Sequence, residues 1–120
     1  MAACIVLGVA SLAIALLFES TAFAQSSPAP TDTVVTINTA NKFQQVLPSS
    51  GTARRMLRIG NNNTNDDLCW VFVGSGRASK EGSYPIPAGR EYLRYSPFVP
   101  SDAIQATCES NSDTLDVEYQ

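Results

Sequence analysis

From Thr33 to Gln120 no apolar stripe of helical period runs for three turns, and this limits the fold more than any motif. Short segments with two-residue alternation follow one another instead, separated by turn text. In Thr33–Thr39, Val35 and Ile37 oppose Thr36 and Asn38. Lys42–Leu47 is a second segment, stopped by Pro48-Ser49-Ser50-Gly51. In Ala53–Gly60, Leu57 and Ile59 point one way while Arg54, Met56 and Arg58 point the other, which gives one wet face. Leu68–Val73 (LCWVFV) does not alternate; a continuous run of β-branched and aromatic residues predicts a central strand covered on both faces. Tyr84–Pro87 is extended, but Pro85 and Pro87 lack a ladder donor and keep it off the centre of a sheet. Arg90–Tyr95, Asp102–Glu109 and Asp113–Tyr119 complete the series, with Ile104, Ala106 and Cys108 inward. Seven or eight short strands predict an all-β domain over residues 33–120, a single antiparallel β-sandwich or small barrel. The polar stretch Asn61–Asp67 is expected to contribute nothing to its core.

The chain ahead of this domain reads as an export signal. Ile5–Phe18 is an apolar run of 14 residues, short for a membrane span, followed by Glu19-Ser20-Thr21 and then Ala22-Phe23-Ala24. Small residues at Ala22 and Ala24 place cleavage after Ala24, so residues 1–24 are expected to be removed and 25–32 to form a flexible linker. No Lys or Arg precedes the run; an uncleaved N-terminal anchor is the competing reading. The expected location is the periplasm or the extracellular space, with no membrane span after cleavage. Cys4 leaves with the signal, and Cys69 and Cys108 remain as a pair in an oxidising compartment. A disulfide between them closes a ring that the loop-entropy model values at roughly 4 kcal/mol.

Much chemistry is excluded by composition. The chain has no histidine, which removes His-based triads, His-ligated metals and imidazole switching. Its formal net charge is −3, the wrong sign for a nucleic-acid partner. Ser79 and Lys80 are adjacent in a loop, where side chains diverge, and make a poor hydrolytic dyad. Asp32-Thr33 and Asp113-Thr114 lack the glycine that an aspartic-protease turn requires, with Val34 and Leu115 in its place. A carboxylate pair drawn from Asp66, Asp67, Glu81, Glu91 and Asp102 is left as the basis of a small carboxylate-dependent hydrolase. Two widely spaced cysteines make half a zinc site, and Asn61–Asp67 lacks the central Gly and distal Glu of a Ca²⁺ loop. Gly74-Ser75-Gly76 opens no helix that could hold an anion. Neither a cofactor nor a metal is expected.

RRMLRIGNNN (54–63), LCWVFVGSG (68–76), IPAG (86–89), DAIQAT (102–107) and the final LDVEY together resemble a small β-sandwich module of bacteriophage virion proteins. The resemblance covers about two thirds of the chain expected after cleavage and implies a sandwich fold and a non-catalytic role. The export signal and the cysteine pair depart from that pattern, so a virion role is not implied.

Aromatic residues carry the remaining signal. Trp70 is expected in the core beside an inter-sheet disulfide. Tyr84, with either Tyr92 or Tyr95, is the candidate platform for stacking on a sugar ring, and Arg94 is the candidate hydrogen-bond donor. Tyr92 and Arg94 share a parity, and so do Leu93 and Tyr95, so one of the two tyrosines faces outward. Arg54, Arg55 and Arg58 could contact an acidic glycan or lipid headgroup, or line the solvated side of a strand. The sequence thus predicts an exported, non-enzymatic sandwich with a binding or structural role and an unknown protein or glycan partner. A carbohydrate-binding module is the first alternative and a carboxylate hydrolase the second.

Overall fold

The computed structural model describes residues 28–120; the expected leader, its apolar run and the cleavage position after Ala24 lie outside the described residues. Eight strands follow in order: β1 (Thr31–Thr36), β2 (Gln44–Leu47), β3 (Met56–Asn61), β4 (Cys69–Val73), β5 (Tyr84–Ile86), β6 (Glu91–Tyr95), β7 (Ile104–Cys108) and β8 (Thr114–Tyr119). β1 opens at Thr31, inside the stretch expected as linker, because Thr31 and Asp32 pair with Tyr119 and Glu118 of β8. Among the described residues no helix is long and apolar enough to cross a membrane.

The strands form two antiparallel sheets of four, in the orders β1-β8-β3-β6 and β2-β7-β4-β5. Every connection except β4–β5 passes from one sheet to the other, and this strand order is that of an eight-stranded jelly roll. Alternation puts Leu57, Ile59, Leu115 and Val117 on the inner face of the first sheet. Val71, Ile86, Ile104 and Ala106 meet them from the second, and all of these are buried. The strands are short and numerous, so none contributes more than three hydrophobic core residues, and β5 and β6 contribute one each.

Cys69 and Cys108 are bonded, directly opposite one another on β4 and β7 with their Cα atoms 4.0 Å apart. The bridge is therefore within one sheet, not between the two. Inward parity told only that both sulfurs face the core; the register of β4 against β7 decides that they face each other. The neighbouring Glu109 N–H donates to the Leu68 carbonyl, which makes the cysteines a narrow, non-hydrogen-bonded pair where side chains approach closely.

Two further expectations change. Trp70 is not core: it pairs with Thr107 on the outer face of its sheet, half-buried, with Lys80 Nζ 3.7 Å from its ring centroid. LCWVFV lacks alternation because its outer face is covered too, by the excursion from Gly74 to Ser83 and by Phe43, which meets Phe72 edge-on. Asn61 in turn belongs to the core, fully buried at the end of β3. Its Nδ2 donates to the carbonyls of Asp67 and Ile86, both at 2.8 Å, and its Oδ1 accepts from Asn63. A buried amide is tolerated when its donors and acceptor are all satisfied, and here they are.

Candidate functional site

A jelly roll has two open sides where the edge strands of its sheets approach each other. On one of them β5 and β6 meet, linked by the turn Pro87-Ala88-Gly89-Arg90. Arg90 N–H donates to the Pro87 carbonyl at 3.0 Å and Gly89 has φ +75°, so the turn needs glycine at its third position. Gly89 N–H donates to the Asn61 carbonyl and Asn61 N–H to that of Arg90, which fixes this turn to the end of β3.

Three residues close the side. Tyr92 and Arg94 pair with Ile59 and Leu57, which places both on the inner face at the sheet's margin. Tyr84 reaches across from β5, its ring centroid 5.0 Å from that of Tyr92 and tilted by 52°. The Arg94 guanidinium lies over both rings, its Cζ 4.5 Å from the Tyr92 centroid and 5.1 Å from that of Tyr84. Arg94 Nη1 donates to the Leu93 carbonyl at 2.9 Å. Its Nε and Nη2 meet no carbonyl or carboxylate oxygen among the described residues, where the ion pairs belong to Arg58 with Glu91 and Glu118.

Beside this stack runs a groove of about 410 Å³, its apolar wall made by Val73, Phe98, Val99 and Pro100. Phe98 is 80% exposed and Tyr84 50%, whereas Tyr92 is only 6% exposed. Burial pushes the Tyr92 phenol above its ordinary pKa, with the nearby Arg94 charge opposing, so it is a neutral hydroxyl at physiological pH. The far wall is held by Arg54, which is buried and donates to the carbonyls of Pro100, Asp102 and Pro48. Desolvation lowers the Arg54 pKa, with Tyr119 and Asp102 opposing that shift. Among the described residues no Asp or Glu lines the groove.

The structure therefore brings Tyr84, Tyr92 and Arg94 together and leaves Tyr95 out. Tyr95 pairs with Met56 at the opposite parity, on the outer face of the sheet and 62% exposed. Phe98 and Val99 complete the groove, and Arg54 supports its wall from behind, without having been singled out for it. Phe98 sits in a connection with no periodicity to place it, and Arg54 was grouped with its neighbours. That arginine cluster disperses, because Arg54 turns inward while Arg58 pairs with Glu91 on the outer face.

Other candidates dissolve on inspection of their partners. The Ser79 hydroxyl accepts from Gly82 N–H within its own turn, while Lys80 donates to Asn41 Oδ1 at 2.6 Å and covers Trp70. Oxygens of the Asn61–Asp67 loop accept from amides of the loop and of β8: Asn63 Oδ1 accepts from Thr114 N–H, and Asp67 Oδ2 from Asn65. Asp113 lies beside Cys69 and Cys108, but sulfurs joined in a disulfide are not thiolate ligands. No family model, curated protein or solved structure matches the chain.

Proposed function

We propose that this chain is an exported, non-enzymatic jelly-roll domain that binds carbohydrate in the groove between β5 and β6. The observation that carries this reading is the cluster at Tyr84, Arg94 and Phe98, where exposed aromatic faces adjoin a guanidinium whose Nε–Nη2 edge meets no carbonyl or carboxylate oxygen among the described residues. Aromatic faces take the C–H face of a sugar ring, and a few placed donors orient its hydroxyls. A folded domain of this size rarely leaves such groups exposed together for stability alone. The backbone of the two flanking edges is partly blocked to an added strand. Trp70 bonds toward β7, so its other neighbour, Pro85, turns a nitrogen without hydrogen to the open edge. On β6 the outward Leu93 carbonyl is already taken by Arg94. Recognition at this side thus rests on side chains rather than on strand addition.

The absence of histidine in the sequence, the resemblance to virion sandwich modules and a groove lined by no acid favour binding over hydrolysis. A glycan array with the wild type, Tyr84→Ala, Phe98→Ala and Tyr95→Ala tests the reading. Binding abolished by the first two substitutions and kept by the third supports it. Binding lost through Tyr95→Ala alone, or turnover of any glycan, contradicts it.

A further inference from the structure

We infer that the saccharide taken in this groove bears a carboxylate, as a uronic or other sugar acid does, and that Arg94 reads it. The inference rests on the proposed binding role of the groove and goes on to name the ligand's charge. Three observations carry it. The first is the division of labour within one guanidinium. Arg94 commits Nη1 to the Leu93 carbonyl and leaves the Nε–Nη2 edge without a carbonyl or carboxylate acceptor among the described residues. That edge is the two-donor fork that matches the two oxygens of a carboxylate, and a bidentate pair of this kind is both stronger and more directional than a neutral hydrogen bond.

The second is preorganisation. The rings of Tyr84 and Tyr92 hold the guanidinium by cation–π contact at 5.1 and 4.5 Å, and the Leu93 carbonyl fixes its rotation. Little side-chain entropy then remains to be lost on binding. The third is the charge of the surroundings. Among the described residues Arg94 is the only charged one lining the groove, and Glu91, the acid on β6, is occupied by Arg58. The site thus presents one uncompensated positive charge at the margin of an apolar wall, complementary to one negative charge on a ring with an apolar face. Clustered sulfates or phosphates would call for more cations than the groove holds.

The test is a calorimetric titration of the whole domain with oligogalacturonate, alginate oligomers and sialyllactose. Each is run beside an uncharged counterpart: the methyl esters of the first two, and lactose for the third. An acidic hexapeptide is the fourth probe. At least one acidic saccharide is expected to bind about tenfold or more tightly than its counterpart, the difference one charge-assisted fork makes. Arg94→Gln should erase that difference by bringing the acidic saccharide down to the affinity of its uncharged counterpart. Arg94→Lys keeps the charge without the fork, and should recover only part of it. Equal affinity for acid and counterpart overturns the carboxylate inference and leaves the groove reading standing. Binding to no saccharide, or tighter binding of the acidic peptide that Arg94→Gln removes, overturns both. A thermal melt of each variant separates loss of recognition from loss of fold.

Discussion

The two open sides of the jelly roll meet the same demand, joining the margins of two sheets, with opposite chemistry. On the β1–β2 side a single amide does it: Gln44 Nε2 donates to the Thr36 carbonyl and its Oε1 accepts from Asn38 N–H, both at 2.9 Å. The hollow there, beside Lys42 and Phe43, is about 180 Å³, and the polar groups of Gln44 are spent on backbone. On the β5–β6 side two rings and a guanidinium close the gap, and among the described residues the Nε–Nη2 edge of that guanidinium meets no carbonyl or carboxylate oxygen. One side is finished by its own hydrogen bonds. The other is left with affinity to spare, which is the physical distinction between a seam and a site.

The contrast can be broken in several ways. The largest effect is expected from the disulfide, whose ring from Cys69 to Cys108 encloses β5 and β6 but neither β1 nor β2. Its reduction should lower stability in urea by about 4 kcal/mol. Amide exchange should then quicken in β5 and β6 well before β1; uniform quickening would mean the bridge supports both sides alike. Next is Asn61→Ala, which strips the β5–β6 turn of its buried anchor and leaves the Ile86 and Asp67 carbonyls without their donor. A loss of about 2–3 kcal/mol is expected, with groove binding weakened as well. Gln44→Ala makes the paired measurement. Its hydrogen bonds are exposed, so a loss of about 1 kcal/mol or less is expected and groove binding should not change. Equal losses from the two substitutions would erase the distinction between the sides.

The smallest effect is one of pH. Tyr92 has a raised pKa in the folded chain, chiefly through burial, so the folded state holds this proton more tightly than the unfolded one. The stability it contributes is complete below the unfolded value of about 10 and is lost as pH rises through the folded value. Chemical denaturation between neutral and strongly alkaline pH should show this decline. Tyr92→Phe should flatten it.

Much of this architecture was legible in the sequence, and the failures share a cause. Two-residue alternation marked β1, β3, β7 and β8 and the inward parity of Cys108, Ile104 and Leu57, because a half-buried strand writes its two faces directly into its text. Proline marked β5 as an edge for an equally local reason. What alternation does not carry is the identity of the neighbour. In a jelly roll nearly every connection changes sheet, so Cys69 and Cys108 could be paired by elimination yet not assigned to one sheet. The same gap misplaced Trp70, whose cover comes from Lys80 in a distant loop. Asn61 was misread because a run of amides looks solvated unless the carbonyls that satisfy it are known. Within the site, the shared parity of Tyr92 and Arg94 was visible and correct. The approach of Tyr84 from the other sheet, and of Phe98 from a connection, was not.

The most direct measurement is a chemical-shift titration of the isotopically labelled domain with the tightest-binding acidic oligosaccharide. Shifts are expected at Tyr84, Leu93, Arg94 and Phe98–Pro100, including the Arg94 Nε resonance, with β1, β2 and Tyr95 unmoved. Shifts concentrated around Gln44 or on the outer face at Tyr95, with the Arg94 Nε signal unchanged, would contradict the assignment of the binding site to the β5–β6 side.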